Sequence, residues 1–392
     1  PLMKRTGYKK EFAGAVEAVA STGGQFTPPI MGAVGFVMAE FLNLSYTYVA
    51  LASITPALLY YVGLLLAVHF EAKRLGLSGI AKENIPNAMV VIKEQGHLVL
   101  PLFSLIGLMF AGFTPLYAAV ISIFVTIGAS WLRKDTRMGP AKILEAIIEG
   151  SKSAISVGVC CVIIGIIIGT VTLTSMGLNM GYLILSIVQG DHIYLAGFLV
   201  MIMSAILGMG VPGVAAYVIV QAVAVPVLIK AGALPLIAHL FCLIYACLSN
   251  ITPPVAMSSY VAAGIADSDM TKTSLIAMKL GVAGFILPFF FLNNPVLLYG
   301  STEGVALSET IRAFATATLG VLAIAEGLSG FPMQKTDMQT TALRVVTRIM
   351  LIVGGLLFVN PTFTTDVIAL VLIAAEVAID RTALAKTKPI HV

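Results

Sequence analysis

The chain is a succession of long apolar runs separated by short polar stretches, and two of the apolar runs are interrupted halfway. Residues 10–41 surround a polar first tip at residues 21–27, and residues 233–266 surround a second tip at residues 249–252. The arms beside each tip are too short to cross a hydrocarbon core of about 30 Å alone. Because a polar break at that depth is tolerated only where it lines a protein cavity, the pattern predicts two re-entrant helical hairpins.

The two interrupted runs are also similar in sequence. The chain from Pro1 aligns with the chain from Pro226 without a gap at a constant offset of 225, and the Thr-Pro-Pro of residues 27–29 matches that of residues 252–254. A full apolar span follows each hairpin. Paired interrupted segments in two halves of a membrane protein are typical of a transporter binding site. We therefore expect two repeats, each with a re-entrant hairpin.

The remaining apolar runs predict an all-α integral membrane protein, a multi-span helical bundle in four parts. The parts are a first repeat at 1–69 with its start missing, a connector with two spans and an interfacial helix at 70–152, a second repeat at 153–292, and C-terminal scaffold spans at 293–392. In the second repeat, the glycines and proline of residues 208–213 interrupt the run 193–229, which predicts a broken helix.

Finer expectations concern single helices. Residues 140–149 alternate charged and aliphatic side chains at helical spacing, which predicts an interfacial helix lying in the membrane plane. A separate span is expected at residues 153–175, and one full span at residues 272–292. Residues 71–97 are the most polar stretch of the interior and predict an extramembrane connector.

Composition supports a membrane protein. Hydrophobic residues make up 58% of the chain, charged residues 11%, and the mean hydropathy is +0.99, whereas an ordinary soluble domain carries about 25% charged residues. The net charge of +4 lies mostly in short connecting loops, where it reports topology and contact with headgroups. The expected surroundings are a lipid bilayer, and a nucleic-acid partner is not expected.

Both tips are rich in oxygen atoms that suit an alkali cation. Backbone carbonyl, hydroxyl and amide oxygens are hard ligands, and interrupted helices in transporters use them to bind coupling ions. Glycine-rich tips also serve close helix packing, so the tips alone leave this alternative open. The candidate Na⁺ ligands are Ser21, Thr22, Gly23, Gly24, Gly208, Gly210, Ser249, Asn250 and Thr252.

The end of each tip suggests where a second helical arm begins. Thr27 and Thr252 are suited to the N-cap position, and Pro28 and Pro253 to the first helical position. Such an arm would begin at the membrane centre with its positive dipole end at the tip, which favours an anion such as a carboxylate. These four residues are the candidate substrate-binding residues.

One carboxylate lies within the first hairpin. Glu17 is a candidate proton relay, because an ionisable residue inside a membrane is a functional candidate by default. The alternatives are that Glu17 faces a scaffold cavity or extends to the membrane surface. An intramembrane enzyme would need a nucleophile with a base, or a metal triad, and no such set of residues is visible. A nucleotide-binding Gly-x-x-x-x-Gly-Lys-Ser/Thr loop is also missing from the sequence.

Three long stretches resemble the permeases of tripartite ATP-independent periplasmic (TRAP) transporters. They are residues 3–42, 207–232 and 238–266, which carry STGGQFTPPI, LGMGVPG and LSNITPPV. The resemblance is to the large membrane subunit of the fused type that works with TAXI-class binding proteins, and it covers nearly the whole chain.

This resemblance implies an elevator-type carrier with the architecture of the ion-transporter superfamily, located in the cytoplasmic membrane of a bacterium or archaeon. It implies uptake of an organic acid coupled to Na⁺, without another cofactor. The implied partners are a periplasmic TAXI-type binding protein and a small membrane subunit fused in a missing N-terminal part. The first sodium site would use residues 21–24, and the second would use residues 249–252 with Gly208 and Gly210.

One departure from the family pattern affects the first site. The broken helix expected to face the first tip would precede Pro1, so the sequence is interpreted as an N-terminally truncated fragment. Proton coupling through Glu17 stays open as an alternative to sodium coupling.

Overall fold

The computed structural model describes residues 2–77, 87–187, 192–298, 307–329, 338–359 and 362–386. In these ranges the chain forms α-helices joined by turns and short 3-10 segments, and no strand occurs among them. The helices are α1 (Leu2–Arg5), α2 (Lys10–Gly23), α3 (Gly32–Leu42), α4 (Tyr46–Arg74), α5 (Ala88–Gln95), α6 (Leu100–Phe110), α7 (Pro115–Ser130), α8 (Pro140–Leu173), α9 (Met176–Ile187), α10 (Ile193–Gly208), α11 (Gly213–Lys230), α12 (Pro235–Leu248), α13 (Met257–Ala266), α14 (Met270–Leu280), α15 (Val282–Asn293), α16 (Leu307–Ser329), α17 (Met338–Leu357) and α18 (Phe363–Lys386).

Several helical stretches are long and apolar enough to cross a membrane. Within the described ranges there are five, judged by length and composition: Tyr46–Arg74, Ala88–Phe110, Gly213–Lys230, Met270–Asn293 and Ser308–Leu328. The fold is therefore that of a helical membrane protein, as the apolar pattern predicted. The second of these stretches begins inside the region expected to be an extramembrane connector, since α5 leads through a 3-10 turn into α6.

The two interrupted segments have matching local structure. Helix α2 begins at Lys10 and α12 at Pro235, and the 3-10 turns that follow them begin at Gly24 and Ser249, so both starts differ by 225 positions. The same offset relates the first residues of α3 and α13. The division of the chain into repeats remains a prediction, but the segments at its centre correspond position by position.

The prediction that Thr27 and Thr252 cap the second arms is wrong. Each hydroxyl instead donates a hydrogen bond backwards, from Thr27 Oγ1 to the Gly23 carbonyl at 2.6 Å and from Thr252 Oγ1 to the Leu248 carbonyl at 2.8 Å. Both threonines thus close the end of the first arm. They tie the tip to the helix that precedes it.

The second arms also begin later than expected. Helix α3 starts at Gly32 and α13 at Met257, not at Pro28 and Pro253. The reason is that each of these prolines is followed by another proline, and a residue before proline is disfavoured in the helical region. Both Pro-Pro bonds are cis, and Met31 enters α3 in the left-handed conformation with φ of 50°.

The two arms of each interrupted segment make little contact with each other. Helix α2 instead packs along α13, which is an arm of the other segment. The close approach occurs at Gly14, where an added Cβ would lie 3.3 Å from the Ala262 carbonyl oxygen. At the far end Lys4 Nζ donates to the Ala266 carbonyl at 2.8 Å, and Lys10 Nζ lies 2.9 Å from Asp267 Oδ2. This hydrogen bond from Lys10 holds the pKa of the Asp267 carboxyl below its usual value.

Two further helix boundaries differ from expectation. The separate interfacial helix and span expected at 140–149 and 153–175 form one helix, α8, because a single internal glycine such as Gly150 costs only about 1 kcal/mol and does not end a helix. The span expected at 272–292 divides at Gly281 into α14 and α15.

The core is built around α12. Each residue from Leu236 to Leu248 is buried, as expected for a helix that is apolar on all sides and packed within a bundle. The one histidine of α12 is His239. A hydrogen bond of 2.6 Å joins its Nδ1 to the Tyr217 hydroxyl. Tyr245 donates to the Phe285 carbonyl of α15, which ties α12 to that helix.

Candidate functional site

A cavity of about 690 Å³ lies where the two tips meet. One wall is a face of α2 whose lining residues are three or four positions apart. The opposite wall is a face of α13 along its whole length, from Met257 to Ala266. The second tip and the start of α11 close the cavity between them. The lining residues that carry the argument are Glu17, Ser21, Gln25, Asn250, Gly213 and Met257.

Two helices begin at this cavity. Gly213 is the first residue of α11 and Met257 the first residue of α13, and both line the cavity. The first amide groups of a helix have no partner within it, and the helix dipole adds partial positive charge there. A cavity with two such ends suits an anion.

The charged side chains on the cavity wall are Lys4 and Glu17. Glu17 is exposed and lies on the same face of α2 as Ser21. Lys4 is already engaged with the carbonyl at the end of α13. A bound anion would therefore have the helix ends, neutral donors and the two remaining donors of the Lys4 ammonium group available to it.

Gln25 is a cavity residue that the sequence reasoning missed. Its Oε1 accepts a hydrogen bond from Cys247 Sγ at 3.3 Å, and it lies so close to Gly213 that an added Cβ there would overlap it. With the amide oxygen occupied, the amide nitrogen has two donors to offer to a ligand. The available signal was that Gln25 has the longest polar side chain in the first tip.

The first-tip candidates have different surroundings. Ser21 lines the cavity, whereas the buried Thr22 hydroxyl donates to the Ala18 carbonyl at 2.8 Å. Gly23 is packed against the Tyr60 ring, where a Cβ would lie 2.5 Å from the ring edge. The Gly24 amide donates to the carbonyls of Ser21 and Thr22.

In the second tip, the structure brings Gly208 and Ser249 together. A Cβ on Gly208 would lie 2.6 Å from Ser249 Oγ and 3.2 Å from the Ala246 carbonyl. Ser249 Oγ donates to that carbonyl at 2.7 Å, which leaves its lone pairs to accept or to bind a cation. Asn250 is buried and lines the cavity, and Gly210 has φ of 73°, a conformation that favours glycine.

The four candidate substrate-binding residues Thr27, Pro28, Thr252 and Pro253 do not line this cavity. Pro28 lies instead beside a separate cavity of about 30 Å³ formed with α4 and α6. The threonine hydroxyls are used within their own tips. Direct contact of these residues with a substrate stays a prediction.

Among the described residues, no group of three or more His, Cys, Asp or Glu side chains could hold a metal ion. The oxygen atoms that the two tips offer to a cation are backbone carbonyl, hydroxyl and amide oxygens. This ligand chemistry suits Na⁺ better than a transition metal.

Comparison with known families identifies the class of this membrane protein. A family model described as "Tripartite ATP-independent periplasmic transporter, DctM component" matches residues 1–302. The match covers most of the 392 residues, so the chain belongs to the DctM family of TRAP transporter permeases. This confirms the resemblance to TRAP transporter permeases that the three sequence stretches indicated, and the family is one of transport proteins.

A curated relative is the isethionate TRAP transporter permease protein DctMQ of Oleidesulfovibrio alaskensis. It is 22% identical over 284 residues, which make up 71% of this chain and 44% of the relative. The chain thus spans less than half the length of this relative.

Proposed function

We propose that the protein is the permease part of a secondary transporter that takes up an organic anion together with Na⁺. The observation that carries this proposal is the cavity at the two tips, which is lined by the N-termini of α11 and α13. Family membership supports transport as the activity. The cavity volume of about 690 Å³ falls in the range of small-molecule sites.

The substrate is an organic acid that presents a carboxylate or a similar anionic group. Its anionic group would face the two helix ends, and the Gln25 amide would donate a hydrogen bond to it. The Oleidesulfovibrio relative is named for isethionate. An anion of that kind is compatible with a site built from helix ends, because such a site recognises charge rather than carboxylate geometry.

Sodium is the proposed coupling ion, with one site at each tip. The contact between Gly208 and Ser249 supports the second site, since the Ser249 hydroxyl and the Ala246 carbonyl both lie beside the last residue of α10. Ser21, Thr22, Gly23 and Gly24 would contribute to the first site.

A proton-coupled carrier of the same fold is the second candidate. Glu17 favours it, because this carboxylate lies on the cavity wall where a substrate would pass. In that case its protonation would accompany substrate movement, and no bound Na⁺ would be needed.

The transport cycle is proposed to be of the elevator type, with the tips and the broken helix α10–α11 moving against the remaining helices. A periplasmic binding protein, of the TAXI type by sequence resemblance, would deliver the substrate, and a small membrane subunit would brace the scaffold. The proposed location is the cytoplasmic membrane of a bacterium or archaeon.

The experiment that tests the function is uptake into proteoliposomes by the full-length protein with its binding protein. Radiolabelled organic acids are offered under an inward Na⁺ gradient, an inward proton gradient, or neither. Uptake that requires the Na⁺ gradient at every pH is expected. Uptake driven by protons alone would reject sodium coupling, and no saturable uptake under any gradient would reject the transport proposal.

A further inference from the structure

A second pocket, remote from the tips, is lined by more positively than negatively charged side chains. It has a volume of about 190 Å³ and lies between the last turns of α4, the start of α2, the α14–α15 junction and α16. Three basic side chains line it, Lys9, Arg74 and Lys279, together with one carboxylate, Glu71.

The one carboxylate of the pocket, that of Glu71, is paired with Arg74. Arg74 Nε donates to Glu71 Oε2 at 2.7 Å, and a second contact joins its guanidinium to the other carboxylate oxygen. This bidentate pair balances one positive charge with the one negative charge. Glu71 also attracts Lys279, but the three basic side chains exceed the one carboxylate by two charges among the lining residues.

The rest of the pocket is apolar. Small and aliphatic side chains continue from the charged end along α4, α15 and α16, and they include Gly63, Ala67, Val282, Ala283, Ala325 and Leu328. A polar anion alone would not use this surface. An amphiphile with an anionic head and hydrocarbon chains would use both ends of the pocket.

The depth of the pocket fits the headgroup region. Helix α4 is an apolar span that ends in the polar sequence His69 to Arg74, so its last turns lie where a span meets water. Lysine side chains near that boundary extend towards phosphates of the lipid. Basic pockets between membrane helices bind anionic headgroups.

We propose that this pocket binds the phosphate headgroup of an anionic phospholipid. Lys9 and Lys279 contact the phosphate, Arg74 is held in place by Glu71, and the acyl chains lie along the apolar wall. The occupied pocket joins the start of α2, which carries the first tip, to α4 and α16.

The test is lipid binding to the full-length protein, purified in detergent, by native mass spectrometry. Phosphatidylglycerol is titrated against phosphatidylcholine with the same acyl chains. The variant Lys9→Gln/Lys279→Gln is expected to lose phosphatidylglycerol affinity by about thirtyfold, since each lysine near a headgroup contributes about fivefold. Phosphatidylcholine binding should not change.

The matched control is Arg5→Gln/Lys272→Gln, which removes the same charge from neighbouring positions on α1 and α14 outside the pocket. It should change phosphatidylglycerol affinity less than about twofold. Equal losses in both double variants would overturn the proposal, because the effect would then be one of net charge. Displacement of the lipid by excess inorganic phosphate would also overturn it and assign the pocket to the free anion.

Folding is checked by the thermal midpoint of each variant in detergent without added lipid. If the double variant does not fold, Lys279→Gln alone is used, with Lys272→Gln as its control on the same helix. An affinity loss of about fivefold for phosphatidylglycerol is then expected. No loss in a folded Lys279→Gln protein would reject the site.

Discussion

Gln25 Oε1 lies against the backbone of Gly213, so the first tip touches the broken helix of the other half of the chain. The contact leaves no room for a Cβ at position 213, and Cys247 Sγ holds the same oxygen from a third helix. Three elements therefore fix one amide group at the cavity wall. The Gln25 amide could not occupy this position if residue 213 carried a Cβ atom.

Gly213→Ala should displace the Gln25 amide and weaken substrate binding. We expect the KM for substrate uptake to rise about tenfold, the value of one hydrogen bond to a charged group, with kcat nearly unchanged. The measurement is the concentration dependence of uptake in proteoliposomes. Stability should change little, because alanine is a better helix former than glycine and the displaced group is a side chain.

The control for this variant is Gly264→Ala on α13, where an added Cβ meets no atom within 4 Å. It should leave both kinetic constants unchanged. A KM that stays constant in Gly213→Ala, or that rises equally in the control, would contradict a role for Gln25 in binding.

Ser249→Ala tests the second proposed sodium site. The hydroxyl lies beside Gly208, and its removal takes away one cation ligand without adding bulk. We expect the Na⁺ concentration for half-maximal uptake to rise about tenfold while the maximal rate at high Na⁺ is retained. The measurement is uptake as a function of Na⁺ concentration at constant ionic strength.

Ser274→Ala is the matched control. Ser274 is also buried and its hydroxyl donates to a carbonyl three residues earlier at 2.9 Å, but it lies on α14 and not at the second tip. Both variants lose the same internal hydrogen bond. An unchanged Na⁺ dependence in Ser249→Ala, or an equal shift in Ser274→Ala, would remove this hydroxyl from the list of ligands.

The sequence predicted the tips better than the helices that leave them. Interrupted apolar runs and Thr-Pro-Pro triplets located both tips, and the structure places Ser21 and Asn250 at one cavity. The capping role of Thr27 was wrong because capping rules consider a helix start alone, whereas consecutive prolines delay that start by several residues.

Other features depend on contacts between distant residues, which local patterns do not contain. The pairing of α2 with α13 rests on the close approach at Gly14, and glycine at that position has no distinct signal in one sequence. Gln25 was missed for the same reason, because its partners Cys247 and Gly213 are on other helices. The charged pocket near Glu71 likewise combines four separated elements.

Two buried tyrosines should stabilise the helices that carry the tips. Tyr60 donates to the Val19 carbonyl on α2 at 2.8 Å, and Tyr245 on α12 donates to the Phe285 carbonyl. Positions 60 and 285 differ by the same 225 residues as the tips, so the contact of α2 with α4 corresponds to that of α12 with α15. In the first contact the later helix donates the hydrogen bond, and in the second contact the earlier helix donates it.

Tyr60→Phe and Tyr245→Phe should each lower the free energy of unfolding by about 1 kcal/mol, the net value of one hydrogen bond. The measurement is equilibrium unfolding in mixed detergent micelles. Tyr182→Phe, at an exposed position on α9, is the control and should have no effect. A loss no larger than in this control would show that the buried hydroxyls do not stabilise the protein.

Glu17→Gln distinguishes the two proposed coupling modes. Glu17 is an exposed carboxylate on the cavity wall and repels an anionic substrate there. If Na⁺ is the coupling ion, neutralising Glu17 should retain Na⁺-dependent uptake and lower the KM a few-fold, since one unfavourable charge interaction is removed.

The measurement is uptake under separate Na⁺ and proton gradients, with Glu11→Gln as the control on the same helix. Glu11 lies in the first turn of α2 and does not line the cavity, so its variant should keep the native KM. Loss of uptake in a folded Glu17→Gln protein would reject the sodium assignment and favour a proton relay. Retained uptake with unchanged Na⁺ dependence would show that coupling does not require the Glu17 carboxylate. The oxygen ligands at the two tips would then remain the proposed Na⁺-binding groups.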